Sequence, residues 1–182
     1  MIEIPPDETL IPRCRAADPV ALTQLGRVYG FPVHGFLSAI LGDDTAKKER
    51  YLCEALAEAF RLYQSEKLTQ SFLTLVMQAL IEILRADPSL AKQTQTQPFI
   101  IKELRIQWMF EAFYHLPWQE RAVILLRLQL DFLYEEMAFV FSESEMAVKN
   151  RLKDAREHFR LQMDERIKGQ YVELQSGTKK NS

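Results

Sequence analysis

Residues 134–160 have the sequence YEEMAFVFSESEMAVKNRLKDAREHFR, and this stretch decides the fold of the C-terminal half. It predicts two helices separated by a short polar turn, in the proportions of a helix-turn-helix. The turn offers Ser142 or Ser144 as the N-cap of the second helix. One face of each helix is apolar at helical spacing. The residues expected on these buried faces are Tyr134, Met137, Ala138, Phe141, Val148, Leu152, Ala155 and Phe159.

Basic residues gather beside the apolar stripe of the second helix, within about 60° of arc. They are Lys149, Lys153, Arg156 and Arg160. A row of cations along a helix suits contacts with DNA phosphates, and Asn150 on the outward face suits a bidentate contact with adenine. Met146 and Ala147 lie beside it, where base edges would be met. A plain helical hairpin with a solvated basic face fits the same residues, so the pattern alone leaves both interpretations open.

Outward from this stretch, apolar periodicity predicts helices on both sides of a polar segment, and no strand alternation is present. Residues 87–98, DPSLAKQTQTQP, lack periodicity and predict a flexible linker. We therefore predict an all-α protein of two small helical bundles joined by a flexible linker, the second containing the helix-turn-helix. The predicted bounds are an N-terminal domain over 1–86, the linker over 87–98, a C-terminal domain over 99–168 and a disordered tail over 169–182.

Composition and charge narrow the function classes. The net charge is −2, but residues 1–89 carry 9 Lys/Arg against 12 Asp/Glu, whereas residues 90–182 carry 14 against 13. A nucleic-acid footprint therefore belongs in the second half. The start of the chain has no secretion signal and no segment is apolar enough to insert in a membrane, which predicts a cytoplasmic protein. No catalytic set, phosphate loop, metal site or cofactor site is apparent, so an enzyme is not expected.

A family resemblance is carried by two stretches. Residues 116–160, LPWQERAVILLRLQLDFLYEEMAFVFSESEMAVKNRLKDAREHFR, resemble the C-terminal promoter-binding domain of extracytoplasmic-function (ECF) sigma factors. That family has LP-x-x-x-R-x-VLLLR, then L-S-YEEIA, then S-E-x-TVKSRL-x-RAR. Residues 10–44, LIPRCRAADPVALTQLGRVYGFPVHGFLSAILGDD, are similar to the family's opening, L-I-x-RCR-x-GDP-x-AF-x-x-L. The resemblance covers about 150 residues, with the linker in the family's place.

The resemblance implies an alternative sigma factor that binds core RNA polymerase and promoter DNA and is held by an anti-sigma factor. The C-terminal domain would read the minus-thirty-five element, and the N-terminal domain would bind the polymerase and open the minus-ten element. The implied DNA-binding residues are Ser144, Met146, Ala147, Lys149, Asn150, Arg151, Lys153 and Arg156. The implied polymerase-binding residues are Glu49, Arg50, Cys53, Glu54 and Glu58, although these acids also suit a solvated helix face.

Departures from the family pattern favour a second hypothesis. The promoter-melting stretch, rich in Trp, Tyr and Arg in the family, is LTQSFLTLVMQALIEILR here, with Phe72 as its aromatic residue and no base before Arg85. Ser142 stands where the family has the glycine of the turn. The alternative function is therefore a sigma-like protein that lacks promoter melting and acts by binding an anti-sigma factor or as a helix-turn-helix regulator.

Overall fold

A computed structural model describes residues 7–63, 70–92 and 104–178, with the backbone alone for 91–92, 104–105 and 169–178. In these ranges the chain forms α-helices and no strands, which confirms the all-α prediction. The helices are α1 (Asp7–Arg15), α2 (Pro19–Leu25), α3 (Phe31–Leu41), α4 (Thr45–Leu62), α5 (Phe72–Ala86), α6 (Leu104–Tyr114), α7 (Trp118–Leu128), α8 (Tyr134–Phe141) and α9 (Glu145–Thr178). A π turn (Gly26–Gly30) and a 3₁₀ turn (Pro88–Lys92) complete them.

Side-chain caps fix where the N-terminal helices begin. Asp18 accepts from the backbone N–H groups of Val20 and Ala21 at the start of α2, and Asp44 accepts from Lys47 N–H at 3.0 Å at the start of α4. Ser71 does the same for α5 through Thr74 N–H at 3.1 Å. Each cap satisfies a donor that has no partner within the helix.

The residues Gly30-Phe31-Pro32 predict an interruption between two helices, but the structure shows a continuous helical path there. The chain passes from α2 through the π turn directly into α3, where Pro32 occupies the first turn. Proline is compatible with that position because its missing N–H has no intrahelical acceptor there. The wider turn leaves Tyr29 buried and Phe31 87% exposed.

Helix α1 was not anticipated, since Pro12 and the short length weaken its signal. Hydrogen bonds at both ends of α1 hold it in place. Asp7 accepts from Phe72 N–H at 2.7 Å and from the hydroxyl of Tyr29. Arg15 donates to the carbonyl of Phe60 at 2.6 Å. Helix α1 therefore depends on tertiary contacts with the ends of α4 and α5 more than on its own propensity.

The hydrophobic core runs through both halves of the chain. Buried residues of α1–α5 and of α7–α9 form one cluster, in which α5 packs against α8 and α3 against α7. Residues 93–98 of the predicted linker lie outside the described residues, and the division into two domains stays a prediction. Helix α9 continues to Thr178, where a disordered tail from 169 was expected, because no proline interrupts the helix-forming sequence after Met163.

Candidate nucleic-acid interface

The helix-turn-helix is formed by α8, a three-residue turn and α9. Ser142 ends α8 in the left-handed conformation with φ 53°, and Glu143 N–H donates to Ala138 O at 2.9 Å. Ser144 is the N-cap of α9, accepting from Ala147 N–H at 3.2 Å. The two serines therefore take different roles, and the predicted alternative of Ser142 as cap is wrong because its backbone terminates the preceding helix.

The apolar faces lie where the periodicity placed them. Met137, Phe141, Val148, Leu152 and Ala155 are buried. Tyr134, Ala138 and Phe159 are half-buried. Packing of these faces on α7 fixes the angle of α9, and so presents its opposite side as a rigid surface.

The predicted DNA-binding residues share that opposite side. Ser144, Met146, Lys149, Asn150, Lys153 and Arg156 are exposed, and Ala147 and Arg151 are half-buried. Lys149 lies 5.1 Å from the ring centroid of Tyr134 and donates to Glu145 at 3.1 Å. Among the described residues, Lys153 and Arg156 form no ion pair. This side of α9 therefore combines cations with one amide and one exposed methionine at its N-terminal end.

Two basic residues near this face make contacts that the sequence did not predict. Arg160 is engaged by Glu157 at 2.6 Å and Asp164 at 3.2 Å, and its hydrogen bonds hold the pKa of the Glu157 carboxyl below its usual range. Arg127 was not proposed as a contact, yet it lies 5.6 Å from the ring centroid of Tyr134, on which Lys149 also packs. The final Arg of the LP-x-x-x-R-x-VLLLR motif was the signal available for it.

Arg151 is held within the motif. Its guanidinium donates to Glu143 at 2.5 Å and lies 5.5 Å from the ring centroid of Phe141. Glu143 also lies 3.5 Å from Arg85 of α5, so the turn of the helix-turn-helix contacts the N-terminal half. Arg151 is therefore less available to DNA in this conformation than the other predicted contacts.

Residues 107–159 match the family model "Sigma-70, region 4". This part of the chain is therefore similar to region 4 of the sigma-70 factors. The matched segment includes most of α6, all of α7 and α8, and α9 as far as residue 159, so the predicted DNA-binding residues lie within it.

The fold of the chain is similar to that of a solved structure over most of its length. The sigma factor RpoE from Bartonella quintana, solved in complex with the anti-sigma factor NepR, is similar with a TM-score of 0.57. The match covers 79% of this chain and 96% of that chain at 15% identity. No curated protein sequence matches the chain.

A second surface lies on α4, far along the chain from the helix-turn-helix. Glu49, Arg50, Cys53 and Glu54 are exposed on it and Glu58 is half-exposed. Arg50 lies 3.8 Å from Glu54, and Arg61 donates to Glu58, which holds the pKa of that carboxyl below its usual range. The sequence-predicted polymerase-binding residues therefore share one continuous face of a single helix.

A groove of about 480 Å³ lies between this face and α5. Its lining residues are Glu54, Glu58, Leu62, Gln78, Ala79, Glu82 and Ile83. The floor is apolar and the rim carries three carboxylates. Within the described residues, no helix has the length and hydrophobicity for a bilayer span and no cluster of metal-ligand side chains is found.

Proposed function

We propose that this protein is an alternative sigma factor that binds core RNA polymerase in the cytoplasm and directs transcription initiation at specific promoters. The observation that carries the proposal is the exposed face of α9, where Lys149, Asn150 and Lys153 lie side by side within a sigma-70 region 4. The protein contributes binding and specificity, while the polymerase carries out the chemistry, so no catalytic residue is assigned.

The two kinds of residue on α9 have different tasks. Lys149, Lys153 and Arg156 neutralise phosphates, which positions the domain on any duplex. Asn150, with Met146, Ala147 and Ser144 near the helix N-terminus, contacts base edges in the major groove. Arg151 joins them once it leaves Glu143. Sequence selectivity therefore rests on the first two turns of α9, and affinity on the row of cations behind them.

Core polymerase binds on the exposed face of α4. Glu49, Arg50, Cys53, Glu54 and Glu58 form a surface of mixed charge, and the neighbouring groove adds Leu62 and Ile83 as apolar contacts. Exposed charged residues around an apolar floor are the usual anatomy of a protein–protein interface. This combination supports a protein partner on α4.

We propose that the N-terminal half binds unpaired promoter bases weakly. Such binding relies on aromatic stacking and on cations along the strand. Phe72 is fully buried, and the α5 residues that line the groove include Glu82 but no base. We therefore expect residues 1–89 to hold single-stranded DNA weakly, which favours the second candidate, a sigma-like protein that does not melt promoters by itself.

An anti-sigma factor is the proposed inhibitory partner. The structurally similar RpoE was solved with its anti-sigma factor NepR. An inhibitor of this kind competes with the polymerase when it covers the same exposed face of α4. We propose that the face formed by Glu49, Cys53 and Glu54 serves both partners in turn.

DNA binding by the full chain tests the assignment of α9. The Lys149→Ala/Lys153→Ala variant should weaken binding to all duplexes about equally, and each lost phosphate contact should lower the salt slope by roughly one. Lys168→Ala is the matched control, because this exposed lysine lies on α9 beyond the predicted DNA-binding residues. If the double variant bound DNA as well as the parent, the basic face would be a solvated surface.

A further inference from the structure

Three exposed side chains lie in line on the outward side of α9. Met146, Asn150 and Asp154 follow one another at four-residue spacing, which places them on consecutive turns of one face. At about 100° per residue, this face lies roughly opposite the buried stripe of the same helix. The buried residues are Val148, Leu152 and Ala155. The three exposed residues are called the outward stripe below.

The outward stripe is distinct from the row of cations beside it. Lys149, Lys153 and Arg156 flank it on one side, where a helix lying in the major groove passes the phosphates. The outward stripe then faces the floor of the groove, where the base edges are exposed. The cations therefore position α9, and the outward stripe is placed to read sequence.

The side chains of the outward stripe are available to a ligand. Met146 is 65% exposed, and Asn150 and Asp154 are exposed as well. Among the described residues, neither the amide of Asn150 nor the carboxylate of Asp154 takes part in a hydrogen bond or an ion pair. Glu157 and Arg160, one turn further along, instead bind each other. The polar groups of the outward stripe are therefore not used within the described part of the protein.

The chemistry of each side chain selects a base. The apolar side chain of Met146 suits the methyl group of thymine. The amide of Asn150 suits a bidentate contact with N6 and N7 of adenine. The carboxylate of Asp154 accepts a hydrogen bond, and cytosine presents the N4 amine as a donor in the major groove.

Guanine has no reader on the outward stripe. The commonest specific contact to guanine is a bidentate one from a cation to O6 and N7, which are both acceptors. Asp154 stands where the ECF motif S-E-x-TVKSRL-x-RAR has an arginine, and a carboxylate offers guanine no donor. Arg151 is the only arginine in the first two turns of α9, and it is held by Glu143 at 2.5 Å.

The length of the outward stripe limits the number of base pairs that it can read. Met146 and Asp154 are two four-residue steps apart, which is about 12 Å along a helix that rises about 1.5 Å per residue. Base pairs follow one another at about 3.4 Å. The outward stripe therefore spans about three to four base pairs.

We propose that the outward stripe reads three to four base pairs through a thymine methyl, an adenine edge and a cytosine amine, and that it does not read guanine. Met146, Asn150 and Asp154 take these three roles in that order. The inference rests on the proposed function, because it names the class of duplex that the helix-turn-helix of a sigma factor would prefer.

Selection of duplexes from a random library by the full chain tests the role of Asp154. The parent should select thymine, adenine and cytosine within about four base pairs. Asp154→Arg should prefer guanine where the parent prefers cytosine, by at least about fivefold, because an arginine donates to the guanine acceptors. Glu165→Arg is the control, since it makes the same change of charge at an exposed position of α9 beyond the outward stripe. This control should keep the parent's preferred base pairs.

Replacement of thymine by deoxyuridine in the selected duplex tests the role of Met146. The parent should bind the uracil duplex about fourfold more weakly, the effect of burying one methyl group. Met146→Ala should bind both duplexes equally. An unchanged base pair for Asp154→Arg, or equal binding of the two duplexes by the parent, would refute this inference while the sigma function stood. Selection of no sequence by the parent would contradict DNA reading by α9, and the proposed function with it.

Discussion

At the scale of single residues, three described residues with a side chain have the left-handed backbone that favours glycine: Asp131 before α8, and two residues at positions where the ECF motifs matter. Ala17 has φ 58° and Ser142 has φ 53°. The ECF motifs quoted above have a glycine at both positions. Left-handed backbone costs an L-residue about 1–2 kcal/mol relative to glycine. Each of these two turns is therefore less stable than the same turn with a glycine at that position.

Replacing Ser142 by glycine tests this cost. Ser142→Gly relieves the left-handed strain, part of which is offset by the greater freedom of glycine in the unfolded chain, so we expect a gain of about 0.5–1 kcal/mol. The matched variant Ser144→Ala removes the cap of α9 and should cost about 1 kcal/mol. Urea denaturation measures both. Equal effects of the same sign would contradict the different roles assigned to these serines.

Asn150 tests base reading separately from phosphate binding. Asn150→Ala should cost roughly 1–3 kcal/mol on the preferred duplex and little on unrelated DNA, because a bidentate contact with adenine discriminates between bases. Arg156→Ala should weaken binding to both duplexes. Competition assays on the full chain measure the ratio. An unchanged ratio for Asn150→Ala would remove this residue from the base-reading set.

At the scale of elements, the sequence predicted the helices whose signals are local. Apolar stripes in the sequence predict helices over about 45–63 and about 133–140, within about one residue of the bounds of α4 and α8. Helix α1 and the π turn were missed because Asp7, Tyr29 and Phe72 N–H, which hold them together, are distant in sequence. A local sequence pattern does not predict a helix that is stabilised by residues distant in sequence.

Asp87, which follows α5, connects the end of that helix to the start of α4 through hydrogen bonds. Its burial opposes ionisation, but hydrogen bonds from Lys47, Tyr51 and Ser89 outweigh this and hold the pKa of its carboxyl well below its usual range. A depressed pKa stabilises the fold above the unfolded-state value of about 4, and this contribution is lost as the pH falls below it.

Acid unfolding should therefore depend on Asp87. Between pH 5 and pH 2.5 the parent should lose about 1–2 kcal/mol more stability than Asp87→Asn. Asp43→Asn, at an exposed aspartate just before α4, is the control and should keep the parent's pH dependence. Identical pH profiles for the parent and Asp87→Asn would show that the carboxylate does not hold the two helices together.

The side chains of α5 lead us to predict that the N-terminal half binds single-stranded DNA weakly. The full chain with Lys149→Ala/Lys153→Ala isolates the N-terminal half without cutting the shared core. Its binding to single-stranded oligonucleotides should be weak and insensitive to sequence, because base stacking worth roughly 1–3 kcal/mol per base is missing. Fluorescence anisotropy measures it. Tight, sequence-selective binding would restore ordinary promoter melting to this half.

At the scale of the whole molecule, the contacts between the halves could not be read from the sequence. A fully buried arginine such as Arg121 appears in the pattern as an ordinary polar residue of α7, and its acceptor at Ile40 is a backbone carbonyl. The polar composition of residues 87–98 predicted separate bundles but carried no information on how tightly they pack. The sequence therefore located the exposed basic face of α9 more readily than the packing of the two halves against each other.

Limited proteolysis tests the two-bundle organisation. Cleavage should occur first within 87–98 and leave two helical pieces, which stay together on gel filtration because α3–α7 and α5–α8 share one core. A protease-resistant core spanning residues 20–160 without a cut would contradict the flexible linker. Pieces that separate at once would instead contradict the packing between the halves.

Reconstitution with core polymerase determines whether this chain acts as a sigma factor. The measurement is run-off transcription from a pool of genomic fragments, by core polymerase alone, with the full chain, and with its Lys149→Ala/Lys153→Ala variant. The proposed sigma function predicts new start sites with the full chain, on natural or pre-melted templates, and their loss with the variant. Transcripts identical to those of core polymerase alone on both kinds of template would contradict it.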